Sequence, residues 1–209
     1  MWLLLFIVTV VVVIVVISSS LFGPVRASRP SMTRQQLRTG DIVMSTANSP
    51  HRYLFNAVGI EGGHIMMSVV DDSTGEVNLM EITGYHDWPE GEIKPGIHAI
   101  ADRIDDPDRD EYITVYRYNG PHIPSAKIEE YVEKMQDCTF NYNFVEEHVK
   151  QRFFGIQRHT SNSKLCCSEA AYLCLVHCGV RKFNKHDFVD CFRLLHHLPS
   201  HSEPYDLVE

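Results

Sequence analysis

Apolar and polar positions along the chain change period several times, and each change predicts an element. Residues 2–22 are almost continuously apolar, broken only by Thr9 and Ser18 to Ser20, and carry no charge. At 1.5 Å per residue that run reaches about 31 Å, the thickness of a bilayer's hydrocarbon core, and predicts one spanning helix. A cleaved signal peptide is the alternative, with Val25-Arg26-Ala27 as its cleavage site, although a charged n-region is missing. Residues 23–36, with Gly23, Pro24 and Pro30, read as a polar linker. Gly40 to Met44 predicts a buried strand, and Tyr53, Leu54, Ala57 and Val58 recur at helical spacing after Ser49-Pro50. The runs His64 to Val70 and Val77 to Ile82 flank the turn cluster Asp71 to Glu76 and predict a hairpin; Tyr112 to Tyr118 predicts another strand.

Helical spacing then takes over. Ser125 caps a predicted helix to about Asp137, with Ile128, Tyr131, Val132 and Met135 on one face. Phe144 to Phe154 predicts a second helix, Leu165 to Cys178 a third that ends at Gly179, and Asn184 caps a fourth before Pro199. Strands in the first half and helices in the second make an α+β domain. The organisation expected is a transmembrane anchor at 1–22, a linker at 23–36, a catalytic-type domain at 37–198 and a polar C-terminal tail at 199–209.

Composition narrows the function. With 209 residues, 44% hydrophobic and 22% charged, the chain has enough apolar material for one core and too little for two large ones. Its formal net charge of -8 argues against nucleic acid as a main partner. Arg26, Arg29, Arg34 and Arg38 nonetheless precede the first acidic residue, Asp41. By the positive-inside rule they place the folded domain on the cytoplasmic side, with the bilayer as partner through residues 2–22. Six cysteines crowd the C-terminal third. Adjacent Cys166 and Cys167 bridge only with strain, and Cys174 and Cys178 fit one helical turn, so free thiols in a reducing compartment are expected.

The candidate chemistry lies in three residues. Cys167-Ser168-Glu169 falls where the third helix begins, and a cysteine at a helix N-terminus gains thiolate stability from the macrodipole and the unpaired N–H groups. A buried, inert thiol is the plain alternative. A cysteine nucleophile needs a base that a third group orients. If Val70 faces Val77, facing numbers in the hairpin sum to 147, so His64 faces Thr83 and Glu81 sits one diagonal step away on the same sheet face. A carboxylate between Met80 and Ile82 is costly without a specific partner such as an imidazole.

These residues, in order, carry a resemblance. Gly40-Asp41-Ile42-Val43, the Gly-Gly-His64 start of a strand, Glu81, Tyr142-Asn143-Phe144 and Cys167-Ser168-Glu169 resemble the permuted papain-fold cysteine hydrolases of the NlpC superfamily, in its YiiX-like branch, which includes proteins of large DNA viruses. The resemblance covers about residues 37–195. It implies a small antiparallel sheet packed on helices, His64 as base, Glu81 as its orienting group and Cys167 as nucleophile. It also implies thiol-dependent cleavage or transfer at an amide or ester of a peptide or lipid substrate. Cys166, a second thiol beside the nucleophile, and the acidic loop from Asp102 to Glu111 depart from the family pattern.

Other clusters point to no ligand. The loop Asp102, Asp105, Asp106, Asp108, Asp110 and Glu111 lacks the central glycine and spacing of a calcium loop, and Cys174, His177 and Cys178 contain no CxxC pair. No glycine pattern for a nucleotide is present, so neither metal nor cofactor is expected. Two roles follow: a membrane-tethered thiol hydrolase or acyltransferase, or a structural protein of the same fold that joins a membrane to viral or other membrane proteins.

Overall fold

Nine strands, a 3-10 turn and two helices have both ends among the described residues. The computed structural model describes residues 29–47, 63–82, 96–99, 111–141, 143, 146–147, 150, 163–182 and 201–208. In chain order these hold β1 (Ser31–Thr33), a 3-10 turn (Arg34–Gln36), β2 (Ile42–Ala47), β3 (His64–Val70), β4 (Val77–Glu81), β5 (Gly96–Ala99) and β6 (Glu111–Tyr118). Then come α1 (Ser125–Lys134), β7 (Thr139–Phe140), β8 (Lys164–Leu165), α2 (Cys167–His177) and β9 (His201–Val208). Seven strands form one sheet in the order β1-β9-β6-β2-β3-β4-β5, and β7 and β8 pair separately. All neighbours in the large sheet are antiparallel except β1 and β9. The fold is α+β.

The β3–β4 hairpin sets the register that matters most. Asp71 Oδ1 accepts the N–H groups of Ser73 (2.7 Å) and Thr74 (2.8 Å), which folds the turn, and Gly75 supplies the positive φ of 74° that closes it. Val70 pairs with Val77 and Met67 with Met80. Facing numbers therefore sum to 147, as expected.

Alternation along the strands divides the core between the two sheet faces. Ile42, Ile65, Met67, Met80 and Tyr116 pack with Ile128 and Tyr131 of α1 and Ala170, Ala171 and Leu175 of α2. Their neighbours Val43, Met66, Leu79 and Val115 join Met32 and Leu37 in a second cluster. Both helices run close to their expected bounds. Ser125, however, is not the cap of α1: Pro124 holds that position, and Asp72 on the hairpin turn accepts the Ser125 N–H at 3.1 Å. The cap crosses from another element, so local sequence does not reveal it.

The ends of the domain differ from the expected boundaries. Within the polar tail expected at 199–209, residues 201–208 form β9, which lies between β1 and β6, with Tyr205 opposite Val115 and Asp206 opposite Thr114. The linker at 23–36 likewise ends in structure, since Ser31, Met32 and Thr33 pair with Asp206, Leu207 and Val208. Neither segment has the apolar density of a strand; pairing with a partner distant in sequence decides both. The folded unit thus runs beyond 37–198 at both ends. Strands β5, β7 and β8 were not expected either. The expected span at 1–22, the helical segment after Ser49, most of Phe144 to Phe154, the acidic loop before Glu111, and the fourth helix with Cys191 lie outside the described residues. Among the described residues, no helix is long and apolar enough to cross a membrane.

Candidate active site

The start of α2 is built by a reciprocal pair of side chains. Cys166, at the N-cap, presents its sulfur to the Glu169 N–H, while Glu169 Oε2 accepts the Cys166 N–H at 2.8 Å. This is a capping box with a thiol in the place usually taken by serine or threonine. Cys166 Sγ also lies 3.2 Å from Ser168 Oγ. Cys166 therefore belongs to the helix cap, and Cys167 occupies the first helical position, where its N–H and that of Ser168 have no intrahelical acceptor. The sequence contains this signal, a glutamate three residues after the cap, but thiols are uncommon caps and it was not read.

His64 opens β3 and Glu81 closes β4, so the hairpin register brings them to the same end of adjacent strands. His64 Nε2 and Glu81 Oε2 are 2.5 Å apart. The imidazole is 13% exposed and the carboxylate 1%. Gly63 lets β2 pack close to the start of β3: a Cβ there would sit 2.6 Å from the Ser45 carbonyl oxygen, and Ser45 is the strand partner of His64.

The third expected residue joins them, since the Cys167 side chain hydrogen-bonds His64. His64 thus faces a thiol and a carboxylate at once, the three group types that a nucleophile, its base and an orienting acid need. Burial works against charge on His64, but hydrogen bonds and charge from Cys167 and Glu81 outweigh it and raise its pKa from 6.5 to about 9. Glu81 is 2% exposed, and the imidazole is the partner its burial calls for. All three predicted residues meet at one point.

The remaining motif residues support the frame. Gly40 has φ +94°, and a Cβ there would lie 2.7 Å from Ile123 Cδ1. Asp41 is fully buried; its carboxylate accepts the N–H groups of Tyr118 (2.7 Å) and Arg38 (2.9 Å), and Arg117 Nε approaches it at 3.2 Å as an ion pair. Burial still raises the Asp41 pKa against these partners. Asn141, buried beside the Tyr142-Asn143-Phe144 motif, accepts the Asn143 N–H at 3.0 Å, donates to Glu147 at 2.9 Å, and sends its own N–H to Leu165. That bond fastens the segment one residue before the Cys166 cap. Sequence reasoning found neither Asn141 nor Glu169 as a support.

The five described cysteines are free thiols. Cys174 is pushed well up by burial and by its hydrogen bond with Cys178, while that same bond lowers Cys178. Among the described residues, no three His, Cys, Asp or Glu side chains are placed to hold a metal ion. No family model matches this chain and no curated protein matches it, and what the site can do rests on the geometry of Cys167, His64 and Glu81.

Proposed function

We propose that the protein is a membrane-anchored thiol hydrolase or acyltransferase acting on an amide or ester bond, built on a permuted papain-like fold of the NlpC type. One observation carries the reading: a cysteine at the first position of a buried helix acts on the imidazole of a histidine whose Nε2 is held by a buried glutamate. In the reaction, His64 takes the Cys167 proton and the sulfur attacks the substrate's carbonyl carbon. The carbonyl π electrons move to oxygen, and in this reading the N–H groups of Cys167 and Ser168 at the start of the helix stabilise the charge. The oxyanion then collapses, the bond to nitrogen or oxygen breaks, and the imidazolium gives its proton to the departing amine or alcohol. A thioester remains on Cys167. Water, or an acceptor amine or alcohol, loses a proton to His64 and attacks it, which releases the acyl group and restores the thiol.

Glu81 stabilises the imidazolium throughout and fixes the ring. In this reading residues 2–22 hold the domain at a bilayer on its cytoplasmic side, which raises the local concentration of membrane-proximal peptide or lipid substrates. The test is acylation of the full chain by activated esters, with the modified residue located by mass spectrometry. Acyl transfer to Cys167 that disappears in Cys167→Ala and His64→Ala but persists in Cys166→Ala supports the proposal. Acylation of Cys166, or a Cys167 as inert as a free thiol in a folded chain, overturns it and leaves the membrane-joining structural role.

A further inference from the structure

A groove of about 420 Å³ lies at the β1 side of the sheet, lined by Ser31, Gln35, Gln36, Arg38, Arg117 and Tyr205. It is separate from the catalytic triad. Ser45 of β2 pairs with both His64 and Ile113, and Arg117 lies four residues beyond Ile113 on β6. At ordinary strand spacings His64 and Arg117 are therefore roughly 16 Å apart.

The groove is suited to a phosphate ester. Arg117 is fixed in its wall: Nε faces Asp41 Oδ2, and Nη2 donates to Met32 Sδ at 2.9 Å and to the Gln36 carbonyl. Its Nη1 hydrogens are uncommitted among the described residues. Arg38 is exposed beside it, as are the amide-bearing Gln35 and Gln36 and the hydroxyl-bearing Ser31. Guanidinium groups with neutral donors around them are the usual recognition set for phosphate oxygens.

Charge and chain length favour a lipid as the source of such a phosphate. In a chain of net charge -8, the arginines at 26, 29, 34 and 38 form a basic stretch with no acidic residue before Asp41. Arg29 is folded onto the domain through Thr114 Oγ1 at 3.1 Å. Eight residues separate Phe22 from Ser31, so the groove stays within about 30 Å of the end of the apolar run. We infer that this groove binds the headgroup of an anionic phospholipid and sets the orientation of the domain at the bilayer. The inference rests on the reading of residues 2–22 as a membrane span.

The full chain in neutral detergent micelles is titrated with dihexanoyl phosphatidylserine, dihexanoyl phosphatidylcholine and inorganic phosphate, with hydrogen exchange of residues 31–38 as the readout. The serine lipid is expected to protect the segment, to bind about five- to tenfold more tightly than the choline lipid, and to lose that advantage in Arg38→Gln but not in Arg38→Lys. Equal binding of the two lipids, equal protection by inorganic phosphate, or an Arg38→Gln chain that still discriminates overturns the inference. Alkaline carbonate extraction tests the span separately. A chain that washes off membranes refutes the anchor, while the titration, which presents dissolved lipid, still decides on the groove.

Discussion

Glu81→Gln is the most informative single change, because it keeps the shape of the side chain and removes only its charge. Raising the His64 pKa from 6.5 to about 9 corresponds to roughly 3 kcal/mol of preference for the imidazolium in the folded chain. That preference comes from Cys167 and Glu81 together, against burial. If Glu81 supplies half of it, the imidazolium population at pH 8.5 falls about fivefold in Glu81→Gln, whereas at pH 6 it barely changes. Because the folded pKa is raised, the stability the pair contributes is fully present below pH 6.5 and is lost as the pH rises through about 9. The difference in Tm between wild type and Glu81→Gln should therefore be largest near pH 6 and shrink towards pH 10. The assay is NMR titration of ring-15N histidine in the full chain, with His64 assigned by His64→Ala. A wild-type His64 that titrates near 6.5, or an unchanged midpoint in Glu81→Gln, refutes the reasoning.

Other outcomes follow from the same structure. Cys166→Ala should lower stability by about 1 kcal/mol through loss of the cap yet leave Cys167 reactive, and Cys166→Ser should restore the loss; urea unfolding combined with site-resolved alkylation reads both. Gly40→Ala meets both a positive φ and the Ile123 methyl, so denaturant midpoints should show a loss of about 1–3 kcal/mol. Asp41→Asn leaves Arg117 without its buried counter-charge and should cost about 3 kcal/mol in equilibrium unfolding, with no direct effect on Cys167 alkylation in the folded chain.

Elements whose cause is local were legible in the sequence. The Asp71 to Glu76 turn fixed the hairpin, the hairpin fixed its register, and the register brought His64 and Glu81 together, so two members of the site followed from counting. The end of α2 was nearly as clear, since Gly179 closes the run of small and apolar residues that makes the helix. Elements whose cause is distant were not legible. The β9 sequence His201-Ser202-Glu203-Pro204-Tyr205-Asp206-Leu207-Val208 reads as a tail until Tyr116 and Val115 lie beside it. Ser125 looked like its own cap because Asp72, its true partner, is 53 residues away. The Cys166–Glu169 box failed to register for a chemical reason, as sulfur is a poor substitute for the oxygen such boxes normally use.

The pairing of β1 with β9 has a mechanical side. A pull transmitted along the chain from before Pro30 meets the Arg29–Thr114 bond to β6 and then β1, whose three residues pair in parallel with β9. Tension along a strand loads the hydrogen bonds to its neighbour in shear, so they resist together until the short strand gives way. Three strands, β9, β6 and β2, then stand between that edge and β3. Load entering at that edge therefore acts on β1 and β6 before it strains the hairpin that holds His64 against Glu81. Load at this edge is thus taken up several strands away from His64 and Glu81, whose alignment depends on the hairpin alone.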